Sequence, residues 1–204
     1  MSGIVGSKLN IRGSGLVGSL GTDGQHLLSA GAGVTNVFET AGGGYSESSV
    51  IATTSGSYID FTSIPATATI IHLVMDNVSM DQERHILIQI GDSGGVETSG
   101  YGCGWSRFSS TSLTGGVADD DGLEVRAAAA YAVSAVCSLY LCDVSDNAWI
   151  MHSASVALNL DSDDWQFDQR SVAFKELTGT LDRVRIETDG AADFDLGKAI
   201  IRYI

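Results

Sequence analysis

From residue 46 onward, apolar residues come in short runs broken by turn residues, and no run keeps the i, i+3, i+4 spacing of an amphipathic helix. That pattern removes most folds at once. A parallel sheet needs crossover helices, and this sequence does not supply them. Thr69-Ile70-Ile71-His72-Leu73-Val74-Met75 is rich in β-branched residues and reads as a strong strand. Asp76-Asn77-Val78-Ser79-Met80-Asp81 reads as its break. Residues 86–90 form the next strand, and Gly91-Asp92-Ser93-Gly94-Gly95 turns it. Further runs lie at 123–126, 136–141, 149–156, 171–177, 181–187 and 199–203. Only 126–136, with its alanines, has helical character. The spacing predicts an all-β fold, an antiparallel β-sandwich of jelly-roll type, over residues 45–204.

Residues 1–44 have a different texture. They hold almost half of the 25 glycines, in short units such as Gly13-Ser14-Gly15 and Gly42-Gly43-Gly44 with isolated apolar residues between them. Such a segment buries too little surface to fold alone. It reads as a disordered tail or, more sharply, as an extended arm that orders on a partner or a sister subunit.

Charge excludes several functions. The net charge of −14 repels polyanions, so no nucleic-acid partner is expected. No segment reaches the roughly 18 apolar residues of a membrane span, and no signal peptide opens the chain, so synthesis in a cytoplasm without membrane insertion is expected. Cys103, Cys137 and Cys142 are too few and too irregular for a disulfide framework and read as small buried apolar residues. On a strand, Cys137 and Cys142 point to opposite faces.

Gly91-Asp92-Ser93-Gly94-Gly95 matches the string around the nucleophile of trypsin-like proteases. That chemistry needs a histidine base and an orienting aspartate beside the serine. None of His26, His72 and His85 has the upstream context of that family, and Val96 stands where proline would follow. Gly, Asp and Ser are ordinary turn residues, so the string reads as a hairpin turn with Ser93 exposed, and no enzymatic activity is expected.

Asp119-Asp120-Asp121 and Asp161-Ser162-Asp163-Asp164 are acidic loops without EF-hand spacing. They admit structural calcium, and no other cofactor is expected. The histidines are isolated and read as sheet residues rather than metal ligands. Trp105, Asp163, Asp164 and Trp165 are candidate glycan contacts, because sugars stack on exposed aromatic rings beside acids. Trp149 reads as core.

Two stretches carry a resemblance. The first runs from Gly6-Ser7-Lys8-Leu9-Asn10-Ile11-Arg12 through Gly15-Leu16-Val17-Gly18-Ser19-Leu20 to Phe38-Glu39-Thr40. It resembles an N-terminal segment of tailed-phage virion proteins, which implies an attachment role for Lys8, Leu9, Arg12, Leu16, Leu20 and Phe38. The second is an ordered series: Phe61-Thr62-Ser63-Ile64-Pro65, Asp76-Asn77-Val78-Ser79, Ile88-Gln89-Ile90-Gly91, Glu97-Thr98-Ser99-Gly100-Tyr101, Leu177-Thr178-Gly179-Thr180-Leu181-Asp182-Arg183-Val184-Arg185-Ile186, and Asp193-Phe194-Asp195-Leu196-Gly197. This order is similar to a domain of phage and prophage tail-fibre proteins. Residues 105–168 match much less well. The resemblance implies a virion protein made in the host cytoplasm: a short tail fibre or receptor-binding component, trimeric, contacting other virion proteins and a host-surface glycan. A capsid decoration protein and a free carbohydrate-binding module are the alternatives.

Overall fold

The computed structural model describes residues 25–28, 37–40, 44–109, 112–117, 120–126, 131–162 and 164–204; for 26–28, 37–40, 109, 126 and 164–169 it describes the backbone alone. The described strands are β1 (Gln25–Leu28), β2 (Val37–Thr40), β3 (Ser46–Glu47), β4 (Ile51–Ala52), β5 (Tyr58–Thr62), β6 (Ile70–Met80), β7 (His85–Asp92) and β8 (Gly95–Val96). They continue with β9 (Gly102–Ser109), β10 (Leu113–Val117), β11 (Leu123–Arg126), β12 (Tyr131–Asp143), β13 (Ala148–Asn159), β14 (Asp164–Glu176), β15 (Arg183–Thr188) and β16 (Phe194–Tyr203). No helix occurs among the described residues.

The chain separates into two compact units, Met1–Gly44 and Tyr45–Ile204. In the first, β1 and β2 pair antiparallel with Leu27 opposite Phe38, so this part of the segment is a ladder rather than an unpaired arm. The pairing joins the short apolar runs 27–28 and 37–38.

The second unit is a β-sandwich with antiparallel pairing throughout. Its nine-stranded sheet runs β10-β9-β14-β13-β12-β6-β16-β3, with β4 also on β16. Its five-stranded sheet runs β11-β7-β15-β5, with β8 on β7. The chain crosses repeatedly between them, and the last strands fill interior slots: β15 lies between β7 and β5, and β16 between β6 and β3.

Alternation drives the packing. In β6, Ile71, Leu73 and Met75 are buried while Ile70, His72 and Val74 are not. Ile71, Leu73, Leu139 and Met151 of the larger sheet join Ile86, Ile88, Ile90, Val184 and Ile186 of the smaller in one core. Each such side chain contributes about 1.5–3 kcal/mol on burial. Trp149 is buried among them, as its sequence context predicts.

Three sequence expectations are corrected. Asp76 to Asp81 does not break the strand, because β6 continues to Met80 through a bulge. Asn77 takes φ 53° there, a conformation asparagine tolerates, and it lies against Gly197 at φ 101° in β16. Residues 131–136 are not helical but open β12, since Val133 and Ala135 pair with β6 on one side and with β13 on the other. Tertiary pairing overrides the alanine propensity. Finally, only Cys137 is buried; Cys103 is half-buried and Cys142 exposed, on the opposite face of β12. Burial pushes the Cys137 thiol up to about 12.

Candidate functional site

The Gly-Asp-Ser-Gly-Gly string is a hairpin, and its parts divide sharply. Gly91 and Asp92 belong to β7, not to the turn; Asp92 pairs with Gly95 and Gly91 with Val96, leaving Ser93 and Gly94 at the tip. Ser93 is exposed, and no hydrogen bond joins it to a histidine among the described residues. The described histidines are engaged elsewhere. His72 Nδ1 lies 2.9 Å from Ser138 Oγ, His85 Nδ1 lies 3.3 Å from Glu124, and the His152 ring stacks on Tyr140 at 5.8 Å.

The side chain that does work in the string is Asp92, which is buried. Its carboxylate accepts from the Gly94 N–H at 2.7 Å and from the Thr178 hydroxyl at 2.9 Å. The Gly94 N–H, then Thr178, hold its pKa below the usual carboxylate value, while burial opposes them. Asp182 N–H donates to the Gly91 carbonyl at 3.0 Å, so the hairpin and the 177–182 loop are tied twice. Asp92→Asn is expected to cost about 1.5–3 kcal/mol at neutral pH. The folded pKa is depressed, so this stability is present above the unfolded pKa of about 3.9 and fades as pH falls through the lower folded value. Denaturant midpoints of both proteins should therefore converge as pH drops from about 4 toward about 2. A gap that widens on acidification would contradict the ion–dipole origin of the tie.

Beyond the hairpin, Tyr101 closes the same corner. Its buried hydroxyl receives the Ile90 N–H at 2.9 Å and donates to the Glu97 carbonyl at 2.9 Å. Burial pushes the phenol above its ordinary pKa. Lys175 of β14, also buried, bonds the Ser99 carbonyl at 2.8 Å and Glu97 at 3.2 Å, tying the corner to the larger sheet. At the far end, Ser79 donates to Asp195, and Thr53 to the Leu196 carbonyl at 2.8 Å. These groups satisfy one another and tie the two sheets together.

The candidate site residues are scattered. Lys8, Leu9, Arg12, Leu16, Leu20 and Asp163 lie outside the described residues, and Phe38 is described only by its place in β2. Trp105 does not join Trp165. It pairs with Ser171 of β14, whereas Trp165 pairs with Leu158 and Asp164 with Asn159. Six residues along one strand separate the two positions by roughly 20 Å. Trp105 is half-buried and falls in the row of Cys137, Ser153 and Ser171, all buried, so it faces inward. A position on Gly116 would bring a Cβ to within 3.6 Å of its ring. The side chains of Asp164 and Trp165 lie outside the described residues, so the candidate contacts divide between Trp105 on β9 and the start of β14. Among the described residues no group of three or more His, Cys, Asp or Glu can hold a metal ion.

What sequence reasoning missed is the outer face of the larger sheet. Val50, Val74, Val136, Ala154, Val156 and Ile200 line a shallow hollow of about 650 Å3 there. Beside it, Ile150, Val172 and Phe174 are exposed. The smaller sheet differs: Arg185 grips Asp60 through two 2.7 Å hydrogen bonds, stacks on Tyr58 at 4.1 Å and reaches Glu187. A sheet face that meets water normally looks like the smaller one. The signal was in the sequence. In residues 69–75 the outward positions are Ile70, His72 and Val74, two of them apolar where strict alternation would place polar residues.

No protein-family model, curated protein or solved structure matches the chain.

Proposed function

We propose that the chain is a structural protein of a tailed-phage particle: a short tail fibre or receptor-binding component whose residues 1–44 attach it and whose sandwich is displayed. What supports this reading is the way the resembling motifs meet in space. Asn77 of Asp76-Asn77-Val78-Ser79 lies against Gly197 of Asp193-Phe194-Asp195-Leu196-Gly197. Asp92, next to Ile88-Gln89-Ile90-Gly91, bonds Thr178 of the 177–186 motif, and Tyr101 of the 97–101 motif bonds Ile90. A domain built on this motif order would need such joints, and that agreement supports the reading. The motifs are joints of a sandwich, and they are silent on what it binds.

Antibody labelling of purified particles tests the reading. A few copies at the tail are expected. Hundreds of copies over the head would replace the fibre role with decoration, and absence from particles would overturn the virion reading altogether.

A further inference from the structure

We infer that Asp189–Gly190, in the turn between β15 and β16, is a site of spontaneous backbone modification, where aspartate converts to isoaspartate through a cyclic imide. The reaction asks two things of a chain. The carboxyl group of one residue must reach the amide nitrogen of the next, and nothing must hold either group away. Glycine as the second residue meets the first need, because it has no Cβ to block the approach and its backbone rotates freely. Residues 45–204 contain two Asp–Gly pairs, Asp121–Gly122 and Asp189–Gly190, and the fold treats them in opposite ways.

At Asp189 the turn is open. Asp189 and Gly190 are both exposed, and Gly190 holds φ 89°. Thr188, just before them, is fixed: its N–H donates to the Ser57 carbonyl at 2.8 Å and its hydroxyl to the Ala192 carbonyl at 2.6 Å. The Asp189 N–H donates to the His85 carbonyl at 2.8 Å. There the restraint stops. Among the described residues no partner holds the Asp189 carboxylate or the Gly190 N–H. At Asp121 the reverse is true. Gly122 is buried, and a Cβ on it would stand 3.1 Å from the Ile88 carbonyl oxygen. The Asp121 carbonyl accepts from the Gln89 amide at 2.8 Å, and the Gly122 carbonyl from the Cys103 thiol at 3.0 Å. Ring closure there requires the segment to leave its neighbours first.

The chemistry needs only solvent. The Gly190 nitrogen attacks the side-chain carboxyl carbon of Asp189, and the new N–C bond closes a succinimide ring. The carboxyl hydroxyl leaves with the amide proton as water. Water then reopens the ring at either carbonyl. Attack at the side-chain carbonyl restores aspartate. Attack at the main-chain carbonyl breaks the original peptide link, so the chain runs through Cβ and gains one carbon, and the former main-chain carbonyl becomes the free carboxylate. Mass and charge return to their starting values, while the connection from β15 to β16 is longer.

Prolonged incubation of the folded full chain at neutral pH, followed by peptide mapping with electron-transfer fragmentation, gives the test. Isoaspartate should accumulate at Asp189 about tenfold or more faster than at Asp121, since only the second must open locally before it reacts. In concentrated urea the two rates should become similar, because each pair keeps its glycine and loses its surroundings. Asp189→Glu, which needs a larger ring, should remove the product at that position while leaving the tryptophan fluorescence native. Equal rates at the two pairs in the folded chain overturn the inference. So does a folded chain that keeps aspartate at position 189 over the time in which the urea-unfolded chain converts. A difference that persists unchanged in urea overturns it as well, since the fold would not be its cause.

Discussion

Gly91→Ala is expected to lower stability by about 3 kcal/mol or more, whereas Ser93→Ala should change it by less than about 0.5 kcal/mol. A Cβ on Gly91 would stand 2.1 Å from the Gly95 carbonyl oxygen and 2.8 Å from the Val96 Cα. Both are backbone atoms of the returning strand, so no rotamer change relieves them. The Gly91 carbonyl also receives the Asp182 N–H, which stops the strand from moving away. Ser93, two residues on, is exposed at the tip of the loop. Urea midpoints followed by tryptophan fluorescence measure both. In a serine hydrolase the ordering of importance for function would be reversed, with Ser93 indispensable. Equal tolerance at the two positions would show that the hairpin can open without cost.

The second large effect is expected at Gly197, where alanine should cost about 3 kcal/mol or more. Two terms add. The residue holds φ 101°, a region L side chains rarely adopt, and its Cβ would meet the Asn77 carbonyl oxygen at 2.5 Å. The contrast is Asn77→Gly, on the other side of the same bulge. Glycine accepts φ 53° without strain, so this change should stay within about 1 kcal/mol. If Gly197→Ala proves as mild, β6 and β16 do not need their bulge to pair.

The strands were legible because a half-buried ladder writes itself as a period of two. Residues 123–126 and 86–90 were placed within a residue or two of β11 and β7. The bulge was not legible. Asp76-Asn77 carries the chemistry of a turn, and only Gly197, 120 positions later, tells the chain to continue instead. Nor was the start of β12, residues 131–135, whose alanines belong to a sheet only because β6 and β13 flank them, although 136–141 was read as strand. The candidate glycan contacts were named by residue type, and strand register places Trp105 and Trp165 on different strands, β9 and β14. The Asp92 tie lay half in view: the turn was readable from Gly-Asp-Ser-Gly-Gly, while its partner Thr178 was not. The outward Ile70 and Val74 could be read from the run 69–75, but their neighbours Val136 and Ala154 on other strands could not.

The placement of β15 and β16 bears on how the protein comes into being. Each sheet receives an interior strand from the last stretch of sequence. A ribosome that has made residues 1–182 has delivered β5 and β7 with no strand between them, and β6 and β3 with an empty slot. Neither sheet is complete until residues 183–203 emerge, so the sandwich closes only after they do. Pairings of such long sequence separation are slow to form, and the waiting edges are exposed meanwhile. Loss of β15 and β16 would therefore do more than trim the sandwich, because it would split the smaller sheet between β7 and β5 and cut β3 and β4 from the larger.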